Sequence, residues 1–164
     1  MRRALALALV LPGLAGCPPA DGTGGARPVA RVDKVILRVP LNPLRSLDGG
    51  ATPQGILLEV FFERADRPGG LPVTGVLEVL LYEGGSAQPV ELVAQPPFHK
   101  ETYPNSALMD FQGEGRLFGT SYRLIVPWGP KTPSAEMIWI VAKYIPPAGP
   151  AVLSEPTSVP LRRT

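Results

Sequence analysis

One cysteine and one histidine are all that this chain of 164 residues offers as soft or imidazole ligands. Structural and catalytic zinc sites take three or four ligands, mostly from these two residue types, so zinc is excluded. A disulfide framework falls with the same count. An excess of charge of one sign is missing too: 16 basic side chains face 14 acidic ones, and no basic run is longer than Arg162-Arg163. A nucleic-acid partner would need clustered Lys and Arg against its phosphates, and none is expected here. Beyond the first residues no apolar i, i+3, i+4, i+7 pattern lasts three turns, so no long helix is expected either.

What is present begins with the leader. Arg2 and Arg3 precede an unbroken apolar stretch from Ala4 to Leu11, then Pro12 and small residues, the layout of a secretory signal. The run stops well short of the roughly 20 apolar residues that span a bilayer. It closes on the only cysteine, and Leu14-Ala15-Gly16-Cys17 resembles the lipobox of bacterial lipoproteins. That resemblance implies a signal peptide over residues 1–16, cleavage before Cys17, and a diacylglycerol thioether on Cys17 that holds the protein to the membrane. Several acyl chains on one residue, each buried methylene contributing about 0.8 kcal/mol, make a firm anchor. The expected place is the bacterial cell envelope, on its periplasmic or surface side. Pro18 stands where an aspartate would signal retention in the inner membrane, which favours the outer membrane. Losing Arg2 and Arg3 leaves fourteen basic and fourteen acidic side chains in balance.

Residues 17–32 are rich in Pro, Gly, Ala, Asp and Thr and read as a flexible tether, leaving 33–164 as one domain. There 17 of the chain's 21 prolines and 13 of its 18 glycines fall, clustered between apolar runs, as turns punctuate strands. Val35, Leu37 and Val39 alternate with Lys34, Ile36 and Arg38, and Ile56, Leu58, Val60 and Phe62 with a face carrying Glu59 and Glu63. Leu77, Val79 and Leu81 form a third such strand, Val90 and Leu92 a short fourth, and Tyr122, Leu124 and Val126 a fifth. Met137 to Ala142 is apolar on both faces, which marks a central strand covered on both sides or one whose outer face a loop partly shelters, and Val152 to Leu161, interrupted by Pro156, suits a sheet edge. Residues 96–115 carry no clear period apart from one helical turn at Ser106 to Asp110. The expectation is an all-β antiparallel sandwich of about seven strands, with a small open barrel as the alternative. The order and length of the runs resemble the immunoglobulin and fibronectin type III sandwiches, without the Cys-Trp-Cys signature.

Catalytic constellations are sparse. His99 would need a nucleophile beside it, and the nearest approach to a nucleophile elbow, Gly119-Thr120-Ser121-Tyr122-Arg123, ends in Arg where Gly belongs. Ser121 reads as an outward strand residue. Asp48-Gly49-Gly50 reads as a turn rather than a calcium loop, since the D-x-D-x-D spacing is missing. Gly113 to Gly119 misses the G-x-G-x-x-G spacing by one residue and opens a strand, so no cofactor is expected. Trp139 belongs to the core. Trp128, in the loop Pro127-Trp128-Gly129-Pro130, covers the end of the sandwich or, if exposed, stacks on a ligand. With Tyr103 and His99 it makes up the candidate contact set for an envelope protein or glycan. The expected role is a non-enzymatic binding or structural module. The alternative is a carboxylate-based hydrolase acting on envelope glycans, which two acids about 5 to 9 Å apart in one cleft would favour.

Overall fold

The computed structural model describes residues 27–84, 91, 94–115, 118–129 and 131–161. The leader, Cys17 and the strand expected at Val90 and Leu92 lie outside them. The described chain forms β1 (Lys34–Arg38), β2 (Leu44–Arg45), β3 (Gly55–Glu63), β4 (Val76–Glu83), β5 (His99–Tyr103), α1 (Asn105–Asp110), β6 (Gln112–Gly115), β7 (Gly119–Pro127), β8 (Met137–Ile145), β9 (Val152–Leu153) and β10 (Thr157–Pro160). Two antiparallel sheets pack face to face, ordered β1-β3-β7-β6 and β10-β8-β4-β5, with β2 beside β3 and β9 beside β8. The barrel alternative is thereby set aside. Named by position, the orders are A-B-E-D and G-F-C-C′, the immunoglobulin-like arrangement.

The alternation read in the sequence supplies the inner faces. Ile56, Leu58, Val60 and Phe62 of β3 and Tyr122, Leu124 and Val126 of β7 meet Leu77, Val79 and Leu81 of β4 and Ile138, Ile140, Ala142 and Tyr144 of β8 in one core. Burying each large aliphatic side chain contributes about 1.5–3 kcal/mol. Phe62 binds the sheets together at the centre, its ring 5.3 Å from that of Tyr122 and 5.0 Å from that of Tyr144. Both tyrosine hydroxyls find partners: Tyr122 accepts the Val73 N–H, and Tyr144 donates to the Thr74 carbonyl at 2.6 Å. Burial leaves the Tyr144 phenol harder to ionise, its pKa raised to about 12.

The central strand β8 is fully buried on its inner face, and on its outer face Val141 is buried while Trp139 and Lys143 are partly so. On the outer face of the second sheet Leu80, Tyr82 and Val141 form a smaller core with Trp139 packed against it.

Proline shapes the sheet edges. Beside β3 the outer strand is interrupted between β1 and β2, where Pro40 and Pro43 fall. Beside β8 the register shifts by one residue between β9 and β10, and Ser154 bridges the bulge, its hydroxyl accepting the Ala142 N–H and donating to the Glu155 carbonyl. The Leu161 N–H donates toward β8, to the Glu136 carbonyl, so the alternate position 160 faces away from the sheet. Proline at that position leaves no unpaired donor on the edge. Pro127 does the same on β7, whose neighbour Trp128 donates its N–H toward Gln54.

The strands run between two poles. Residues 27–33, 64–75 and 146–151 meet at one pole. Val29 pairs with Val73 there, the Asp33 carboxylate accepts the Ala65 N–H, and the Tyr144 hydroxyl also touches the Ala30 carbonyl. The fold therefore begins earlier than the composition suggests: Val29 and Val32, assigned above to the tether, belong to it, and Val32 is buried. The far pole gathers residues 39–54, 128–129 and 131–136 with the start of β5, about 30 Å away at ~3.3 Å per residue along the nine residues of β7.

Candidate functional site

The segment His99-Lys100-Glu101-Thr102-Tyr103, left unassigned by its sequence period, is the edge strand β5. Its odd-numbered residues pair with Leu81, Val79 and Leu77, so His99, Glu101 and Tyr103 share the inner face of the sheet at its rim. That places polar chemistry along one side wall of the sandwich. The His99 Nε2 lies 3.2 Å from Glu101 Oε2.

Trp128 and Tyr103 converge on the same wall but turn inward. Trp128 is 4% exposed and its indole N–H donates to the Pro53 carbonyl at 2.9 Å, which seals the far pole. Gly129 passes directly over the His99 imidazole: a Cβ there would lie 2.4 Å from Nδ1, and its φ of +78° favours glycine as well. Tyr103 is buried, with its hydroxyl 3.4 Å from the Ile125 carbonyl. Burial and the Glu101 charge raise its pKa. Of the three residues singled out from sequence, none stands in an exposed loop: two are strand residues and Trp128 is a buried plug. His99 retains 15% of its side-chain surface.

A second arrangement, invisible in the sequence, adjoins this wall. After β5 the chain turns through α1, where the Pro104 carbonyl accepts the N–H groups of Ala107 and Leu108, and Leu108 is fully buried in the core. The Arg123 N–H then donates to the Phe111 carbonyl, docking the end of the turn onto β7. Phe111 stands with its ring 5.8 Å from that of Tyr103, edge to face. The result is a hollow of about 460 Å³ on the outer face of the first sheet, lined by Glu59, Asp110, Phe111, Gln112, Ser121 and Arg123.

The floor of that hollow follows from strand register. Glu59 pairs with Arg38 on one side and Arg123 on the other, giving a row of alternating charge across β1, β3 and β7. Arg38 stacks between two rings, its guanidinium carbon 4.8 Å from the centroids of both Phe61 and Phe118. Gln112 Oε1 is a buried acceptor without a partner among the described residues. The combination of guanidinium donors, carboxylate acceptors and a half-exposed ring suits a ligand with many hydroxyls and one apolar face. No spacing signal could have found it, because the residues lining the hollow come from three separate segments.

Asp48 takes the turn role expected of it. Its carboxylate accepts the Gly50 N–H and the Ser46 hydroxyl, and these bonds with that from Gln54 hold its pKa below the usual range. Among the described residues no three His, Cys, Asp or Glu side chains come together as a metal site, and no helix is long and apolar enough to cross a membrane.

No protein family matches the chain, and neither a curated protein nor a solved structure is significantly similar to it.

Proposed function

We propose that the protein is an exported lipoprotein, anchored in the cell envelope through acylated Cys17, whose sandwich works as a non-enzymatic binding module for an envelope glycan. The hollow beside Phe111 carries the ligand part of this reading. It places a guanidinium, two carboxylates and an aromatic ring at one spot on the outer face of the first sheet. Planar polar side chains bind vicinal hydroxyls in pairs, and an exposed ring covers the C–H face of a sugar. His99 and Glu101 extend the polar surface along the adjoining wall. The lipobox and the tether carry the cellular part, and the outer membrane is the favoured site.

Acyl labelling with membrane fractionation tests the anchor. The native chain is expected to take up label and sediment with membranes, and Cys17→Ala to do neither; a soluble, unlabelled native chain would sink this part. Retention on peptidoglycan and lipopolysaccharide fractions tests the ligand. Phe111→Ala and Arg123→Ala are expected to weaken it about tenfold each, the loss of one stacking or charge-assisted contact. Trp128→Ala, if it stays folded, should leave it unchanged. Equal retention of all the variants would remove the hollow from consideration.

A second reading has one observation in its favour: two carboxylates, Glu59 and Asp110, line the same hollow. A glycoside hydrolase acting from this face would use one as acid and the other as base or nucleophile. Turnover of envelope glycans that vanishes in both Glu59→Gln and Asp110→Asn would establish it in place of simple binding.

A further inference from the structure

We infer that the pole from which the tether leaves is a docking surface for anionic phospholipid headgroups, so that the anchored sandwich stands upright on its membrane. This rests on the lipid-anchor reading above.

The charge balance of the whole chain conceals an uneven distribution. Four arginines, Arg27, Arg31, Arg64 and Arg67, sit in the loops of the tether pole against Asp33 and Asp66, a net charge of +2. The loop from Pro146 to Ala151 at the same pole carries no charge at all. Among the described residues of the far pole, Arg45 and Lys131 are outnumbered by Asp48, Glu83 and Glu136. Both aspartates of the tether pole are engaged: Asp33 with Arg31 at 3.1 Å and with the Ala65 N–H, Asp66 with Arg64. Their bonds leave Arg27 and Arg67 exposed with no acidic partner among the described residues. Arg31 also keeps 79% of its side-chain surface in water.

Chain geometry brings this pole to the bilayer. Arg27 is ten residues from Cys17 in sequence, a reach of at most about 35 Å at ~3.3–3.6 Å per residue. Val29 is pinned to Val73 and Ala30 to Tyr144, so the tether has to leave from the arginine-bearing end. An anchor inserted nearby holds the arginines at high effective concentration beside the headgroups. Each arginine near an anionic surface then favours contact by about fivefold. The occupant is the membrane that holds the anchor. A free anion in solution would have no reason to select this end, where the arginines are spread over separate loops and do not converge on a pocket.

The test uses Cys17, the only thiol, to couple the chain from Cys17 to Thr164 onto a maleimide-bearing lipid. That makes it independent of whether the cell acylates the residue. Amide hydrogen exchange of residues 27–33 and 64–70 is compared on vesicles of phosphatidylcholine alone and on vesicles containing phosphatidylglycerol, with residues 46–54 as the far-pole reference. The expected result is exchange slowed about fivefold or more at the tether pole on the anionic vesicles only. The slowing should fade at high salt and disappear in Arg27→Glu/Arg67→Glu, whose core amides in β3 and β8 report an intact fold. Equal exchange on both vesicles overturns the inference, as does slowing that survives the double substitution or that falls on residues 46–54. A chain that docks in this way but takes no acyl label in cells would refute the anchor and leave the surface standing.

Discussion

On the outer face of the second sheet Val141 is wholly buried and Tyr82 nearly so, whereas Ile125, on the outer face of the first sheet, keeps 45% of its surface exposed. The inner faces of the two sheets are alike, alternating apolar residues meeting in one core. Their outer faces divide the labour. One is a second apolar layer that adds stability; the other is an amphipathic surface of arginine stems, rings and carboxylates with a hollow in it. On the first sheet even the buried Phe61 is covered by a charged group, the Arg38 guanidinium. On the proposed reading, stability and recognition fall on opposite sides of the same sandwich.

Charge substitution breaks the comparison most sharply. Val141→Asp places an unpaired carboxylate in a dry layer and is expected to cost about 3–5 kcal/mol in urea unfolding, enough to unfold much of the population. Ile125→Asp, on the solvated face, should cost under about 1 kcal/mol. Similar losses from both would mean that the first sheet is also covered in solution. Truncating rings comes next in size. Tyr82→Ala removes a nearly buried ring and should cost about 3 kcal/mol, while Phe118→Ala, half exposed, should cost about 1 kcal/mol, mostly the stacking on Arg38.

The smallest effect concerns pH. Glu78, at the rim of the second sheet's apolar layer, receives hydrogen bonds from Lys143 at 2.9 Å and Lys100 at 3.1 Å, and these hold its pKa below the ordinary 4.5. A carboxyl depressed in the folded state stabilises fully above its unfolded pKa and loses that contribution as pH falls through the folded value. Glu78→Gln should therefore flatten the decline in unfolding free energy between about pH 6 and about pH 3. An unchanged acid limb would show that the two lysines gain nothing from the carboxylate.

The long strands were legible because each buries one face and solvates the other, a period of two that survives in β1, β3, β4 and β7. Strands β5 and β6 were not. His-Lys-Glu-Thr-Tyr turns His99 and Glu101 toward the inner side at a sheet rim, where water still reaches them, so its alternation carries no apolar signal. Gln-Gly-Glu-Gly in β6 has two residues without side chains. The single helical turn after Ser106 was readable from its local pattern, whereas its role in carrying Phe111 onto the first sheet was not.

By itself the sequence determined the two-faced strands, the turn at Asp48, the central place of β8 and the proline-marked edges, because each depends on neighbours within a few residues. It also determined the lipobox that resembles an export and anchoring signal. Only the tertiary structure decided which aromatic residues face water, since Trp128 and Tyr103 are buried by segments distant in sequence. The hollow at Phe111 and the arginine pole belong to the same class: both are made by register and by loops meeting at one end, and a balanced total of charges gives no hint of where in space the charges gather.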